Sequence, residues 1–175
     1  MRISSVQDLF LSGLQYIYDA EKQIAEAIPG FAKASSSPEL RQAFEKHLQE
    51  TKEHVGRCEE IFRRIGAQPE TQPNAVVQQM RQEAQGMIES TDLSEIRDAA
   101  LIIAGNQIEH YEISAYGSLR TFAQLLGHDD VVGILQKTLD EEKKADARLT
   151  QLADSQVNIQ ALHKSEAALA AAGAR

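Results

Sequence analysis

The chain predicts an all-α protein: four long helices in a bundle, with a short extra helix in the crossover between the second and third. Three observations carry that expectation. Alternating strand-forming runs are missing, while Ala, Leu, Ile, Gln and Glu dominate. Four prolines interrupt 175 residues. Four long stretches repeat apolar residues at alternating steps of three and four, the spacing that lines one helix face.

The first helix is capped by Ser4 or Ser5, with Gln7 or Asp8 as reciprocal partner, and should reach about Ala34, kinked or thinned at Pro29-Gly30. Its stripe is Leu14, Ile17, Glu21, Ile24 and Ile28, with an acid at the centre. Tyr18, one turn before Glu21, is either a hydroxyl partner to that acid or a rim aromatic. Ser35 to Ser37 form a break, and Ser37-Pro38 suits the cap and first position of the second helix. That helix runs to about Ile65, with Gly66 just past its end. Its inner face reads Leu40, Phe44, His47, Thr51, His54, Cys58, Ile61 and Ile65, with Glu50 and Phe62 flanking.

Gln68 to Asn74 is a loop, and Asn74 caps a short helix through about Ser90 whose apolar side includes Val76, Val77, Met80, Ala84, Met87 and Ile88. Asp92 with Glu95 is read as a capping box opening the third long helix, which ends near Leu126 at Gly127. The expected inner face is Ala99, Ile102, Asn106, Glu109, Ile113, Tyr116 and Ala123; Glu112 is less clearly inward. His110 points about 100° away from Glu109, as a neighbour of the site or an interface residue. His128-Asp129-Asp130 caps the fourth long helix, which ends near Ala153, with His128 itself a loop residue. Its stripe is Leu135, Thr138, Glu142, Ala145, Leu149 and Leu152, again centred on an acid, with Asp146 one turn on. The bundle domain is therefore set at residues 1–155. The Ala-rich remainder, 156–175, is a frayed helix or mobile tail in which His163 has no role.

Short breaks make each consecutive pair of long helices antiparallel. About 28 residues separate the pairs, enough to run the length of a bundle, which is the ferritin-like arrangement.

Composition bounds what such a bundle does. The net charge is -8 and the pI near 5.1, an acidic balance that disfavours nucleic acid. No apolar run is long enough for a membrane span, and no signal-peptide core opens the chain. A lone Cys58 fits a reducing compartment, so a cytoplasmic protein is expected.

A carboxylate inside an apolar core is costly unless something positive pairs with it. Here each long helix presents one: Glu21, Glu50, Glu109 and Glu142. His54 follows Glu50, and Asp146 follows Glu142, each by one turn. Two divalent ions would supply the counter-charge, and a carboxylate-rich set with few His suits iron or manganese. In that arrangement Glu50 and Glu142 bridge, Glu21 with His54 holds one ion, and Glu109 with Asp146 the other. Tyr18 or Tyr116 would donate an electron or proton. The chemistry expected is reaction with dioxygen or peroxide. The alternative is a non-catalytic dimeric bundle whose site is structural or vestigial.

The segments Leu14 to Gln23, His47 to Val55, Glu109 to Gly117 and Thr138 to Asp146 resemble the YciE/YciF family of ferritin-like proteins, over about residues 5–153. The resemblance implies a four-helix bundle with a crossover helix, a homodimer, a di-metal site and a link to bacterial stress responses. By position it implies Glu21, Glu50, His54, Glu109, Glu142 and Asp146 as ligands. One departure stands out. The wider ferritin and rubrerythrin superfamily places His three residues after Glu, whereas both spacings here are four. His47, three before Glu50, is the alternative to His54, and Glu53 a weaker substitute. The dimer surface is expected at the crossover helix or at His110-Tyr111.

Overall fold

The computed structural model describes residues 3–173. It contains α1 (Val6–Ala34), α2 (Pro38–Arg64), α3 (Ala75–Ser90), α4 (Ser94–Leu125) and α5 (Asp129–Leu152). A π-helical turn, Ala153–Val157, leads into α6 (Asn158–Gly173). The architecture is the ferritin-like four-helix bundle, with α3 in the long crossover.

Local signals set most boundaries. Ser5 Oγ accepts the Asp8 backbone N–H at 3.0 Å, and Asp8 returns the contact to the Ser4 backbone N–H at 2.9 Å. Leu40 N donates to Ser37 Oγ at 3.3 Å, and Val77 N to Asn74 Oδ1 at 3.1 Å. α2 and α4 close in the same way. Gly66 and Gly127 adopt φ of 72° and 74°, and the next residue's N–H reaches back to Phe62 and Ala123 respectively, both at 2.9 Å. Pro29 lies inside a continuous α1.

One cap expectation fails and another holds by position only. α4 starts one residue past Leu93 with no side-chain cap, because Ser94 rather than Asp92 engages Glu95. His128 caps α5 by backbone position alone, and its ring packs 5.9 Å from Phe10. The Ala-rich segment is helical through Gly173, with Ala161 buried and Lys164 3.5 Å from Glu95 of α4.

Paired contacts fix the register. Phe31 meets Phe44, Glu21 meets His54, and Tyr18 meets Phe62, so α1 and α2 are antiparallel. Arg120–Gln136, His110–Asp146 and Asn106–Thr150 do the same for α4 and α5. His54–Glu141 and Arg64–Asp130 run α2 antiparallel to α5. Glu21, His54 and Glu142 consequently come level, opposite the 112–116 turn of α4. The turn between α1 and α2 is tied to α4 by buried Asp98, which accepts the Ser36 and Ser37 backbone N–H groups, both at 2.8 Å.

The core stripes of α1, α2 and α5 are nearly those expected, with Ala145 and Ile65 only half-buried. On α4, Ile102, Glu109, Tyr116 and Ala123 are buried as expected and Ala99, Asn106 and Ile113 are only half-buried, while Asp98, Leu101, Gly105, Ile108, Glu112 and Leu119 are buried as well. A Cβ on Gly105 would lie 2.7 Å from Leu149 Cδ1, so this close approach of α4 to α5 favours glycine. None of the described helices is long and apolar enough to cross a membrane.

Candidate metal centre

The level turns of α1, α2, α4 and α5 gather two groups of potential ligand atoms. One is Glu21, His54 and Glu142; the other is His47, Glu109, Glu112 and Glu142. Within each group the atoms lie within 4.8 Å of one another, and every residue is buried. Glu142, fully buried at the centre of the α5 stripe, stands in both.

Helix geometry explains the membership. His47 and His54 are two turns apart on one face of α2, and Glu109 and Glu112 one turn apart on α4. His47 Nε2 lies 3.1 Å from Glu109 Oε1. His54 Nδ1 lies 2.8 Å from Glu142 Oε1 and 3.5 Å from Glu21 Oε1, but off the line that a hydrogen bond requires. Its other nitrogen, Nε2, is 3.0 Å from Glu141 Oε2. Arg57 holds Glu141 in turn and reaches Thr138 Oγ1 at 3.2 Å. In a metal-loaded site, Nε2–H donating to Glu141 would leave the Nδ1 lone pair free to ligate beside Glu21 and Glu142. A carboxylate behind an imidazole in this way fixes ligand orientation in metal sites.

The donor atoms are short of partners. Glu21 Oε2, Glu109 Oε2, both oxygens of Glu112 and both of Glu142 are buried without a hydrogen bond, as are His47 Nδ1 and His54 Nδ1. Such orphaned groups are expensive in a core. Burial pushes Glu21 up and Glu112 well up, and raises Glu109 to about 8 against the pull of His47. Burial also works to lower both histidines, yet Glu109 and Glu50 lift His47 to about 9, and Glu142 and Glu21 lift His54 to about 11. Protons shared among acids and imidazoles therefore balance the charge in the metal-free cluster. Two divalent ions could take their place, neutralising Glu21, Glu109, Glu112 and Glu142 and leaving both imidazoles free to ligate. The residues fit a dinuclear carboxylate site.

Of the residues singled out by sequence, Glu21, His54, Glu109 and Glu142 come together. His47, the alternative to His54, joins them: the two occupy different groups. Glu50 and Asp146 sit at the edge. Glu50 is 25% exposed and bonds Lys46 at 2.6 Å; His47, then Lys46, hold its carboxyl down at about 2. Asp146 lies 3.1 Å from exposed His110, and its Oδ1 is buried without a hydrogen bond. Glu53 turns outward to Arg57. Glu112 enters instead, and its three-residue spacing from Glu109 is the signal that points to it. Tyr18 faces away, its hydroxyl donating to Glu59 Oε1 at 2.8 Å. Tyr116 is the aromatic that engages the cluster: its hydroxyl donates to Glu21 Oε1 at 2.5 Å and lies 3.6 Å from Cys58 Sγ.

Four likenesses to a family and to known proteins accompany this geometry. Residues 5–162 match the family model described as Domain of unknown function (DUF892). Protein YciF of Escherichia coli (strain K12) is 38% identical over 173 residues, covering 94% of this chain and all of that protein. The crystal structure of that organism's stress protein YciF superposes with a TM-score of 0.85, covering 89% of this chain and 99% of that one. YcfI of Rhodopseudomonas palustris, described as a candidate structural protein, is 34% identical with a TM-score of 0.83, covering 85% and 94% of the two chains.

Proposed function

The chain belongs to the DUF892 family, that of YciF, and on this premise we propose a ferritin-like stress protein whose bundle holds two iron or manganese ions and acts on dioxygen or peroxide. The observation that carries the reading is the buried double cluster with its unpartnered donor atoms, joined through Glu142. Glu142 would be shared between the ions. Glu21 and His54 would complete one side, and His47, Glu109 and Glu112 the other.

When bound, the ions would supply Lewis acidity and the electrons for reducing an O–O bond. The chain's own part is positioning and proton handling. Arg57 and Glu141 hold His54 with Nδ1 turned inward. The Tyr116 hydroxyl, bonded to Glu21, is placed to hold or pass a proton at Glu21 Oε1. Leu14, Ile17 and Leu135, all fully buried, keep bulk water from the end of the cluster away from His47 and Glu109. The site's acid-rich donor set favours iron or manganese over copper or zinc. A homodimer working in the cytoplasm completes the reading, in keeping with the single buried thiol of Cys58.

Elemental analysis after anaerobic Fe(II) or Mn(II) loading tests it. About two ions per chain are expected for the native protein, and at most about one for Glu142→Ala. A native protein that takes up no metal ends the reading. A second reading is an interaction module in which metal serves stability alone. The outward apolar residues Ile103, Ile159 and Leu162 favour it, as does the description attached to YcfI. Peroxide consumption by the loaded protein separates the two.

A further inference from the structure

A cavity of about 520 Å³ opens between α2 and α5 and reaches the cluster at His47 and Glu109. Its size falls within the range typical of small-molecule sites and far exceeds the roughly 30 Å³ share of one water. Dioxygen or peroxide alone does not call for such a space. Phe44, Ala145 and Leu149 give it apolar walls.

Its charged rim is unbalanced. Lys46 and Glu50 close on each other at 2.6 Å, while Glu39 accepts the Ser37 hydroxyl at 3.2 Å and keeps its negative charge. Lys144 and Arg148, one turn apart on α5, remain. Lys144 has no ion pair among the described residues, and Arg148 gives a hydrogen bond to Gln151 at 3.1 Å. Three cations face two carboxylates at this mouth, an excess of positive charge that stands out in a chain of net charge -8. The floor has the opposite character, with Glu109 and the acids behind it repelling an anion.

We propose that this cavity binds a small amphipathic organic carboxylate, with its anion between Lys144 and Arg148 and its apolar end directed toward His47 and Glu109. Charge fixes the orientation: the carboxylate stays at the cationic rim, and the uncharged end approaches the floor. As the substrate pocket of the proposed metal centre it rests on that reading, but binding itself requires only the cavity and its rim.

Calorimetric titration of octanoate into metal-free and Mn(II)-loaded protein tests the inference, beside octanamide and a Lys144→Glu, Arg148→Glu variant. Both substituted positions are exposed, so the fold should survive. Saturable one-to-one binding, weakened at least about tenfold by the double reversal and by loss of the ligand's charge, is the expected result. An Ala145→Trp variant, filling the cavity from its half-buried wall, should remove binding while leaving metal content unchanged. Absence of saturable binding, octanamide binding as well as octanoate, or an unaffected charge-reversal variant would each overturn the inference. Octanoate binding in a protein that never loads metal would sustain the pocket and remove the metal centre. Metal loading without octanoate binding would do the reverse.

Discussion

The two hairpins of the bundle contribute opposite chemistry to one site. The α1–α2 hairpin brings one acid and two imidazoles: Glu21, His47 and His54. The α4–α5 hairpin brings three acids and no imidazole: Glu109, Glu112 and Glu142. The sequence pattern leads one to expect two similar halves, each with a lone Glu followed by a Glu and its partner. The asymmetry found instead means that neither half neutralises itself. His54 beside Glu142, His54 beside Glu141 and His47 beside Glu109 all cross between hairpins, so the same contacts position the ligands and join the halves.

His54→Leu strikes this complementarity hardest. It strands Glu21 and Glu142, and metal-free protein should lose on the order of 3 kcal/mol in a urea denaturation. A loss below about 1 kcal/mol would show that the halves do not depend on the pairing.

Changing pH probes the same contrast without substitution. His47 and His54 are held at about 9 and about 11, above their ordinary 6.5. Their stabilisation is complete below about pH 6.5 and is lost as pH rises through about 9 and then about 11. Glu109, raised by burial to about 8, adds a loss in the same direction between about pH 4.5 and 8. Metal-free protein should therefore weaken from pH 6.5 to 9. Metal binding displaces these protons, so the stability gained on loading should grow across that interval. Melting curves of the two forms that stay parallel with pH would break the account.

Glu141→Gln leaves every proposed ligand in place and removes the charged partner of His54. Metal affinity should fall about 10- to 100-fold, read by competition with a chelating dye. Smallest in stability, and most discriminating, is the pair Glu112→Gln and Glu50→Gln. Glu112→Gln removes an acid that burial opposes, so metal-free stability should hold or rise by up to about 1 kcal/mol while metal content drops. Glu50→Gln should lose under about 1 kcal/mol, through its half-exposed contacts with Lys46 and His47, and keep its metal. The reverse pattern would return Glu50 to the centre.

How legible each part was from sequence follows from what packs around it. Glu21 and Glu142 interrupt stripes that face one way, and both lie at zero exposure as that pattern requires. α4 is harder because α1, α3, α5 and α6 all pack on it, so apolar residues surround it and no single stripe marks the inward side. Ile102 and Ile108 are both buried on different flanks, which let Glu109 read as inward and left Glu112 uncertain. Glu50 and Asp146 follow the spacing that marks the site, yet lie at its edge. At the edge each meets another partner, Lys46 on its own helix for Glu50 and His110 on α4 for Asp146, and periodicity carries no information about such partners. The packing of the Ala-rich tail was equally hidden, since alanine seats a helix without leaving an apolar signature.

The two tight turns, Ser35–Ser37 and the Gly127 closure, also shape how the molecule assembles in time. Each hairpin is made of neighbours in the chain, whereas the contacts joining them span 87 residues for His54–Glu141 and 95 for Glu21–Tyr116. Local pairs form early and distant ones late, so the hairpins should fold first and dock last. Interactions made after the transition state govern how fast a protein comes apart rather than how fast it forms. A metal held between the hairpins should thus leave the refolding limb of a chevron nearly unchanged and depress the unfolding limb, acting as a latch on a finished structure.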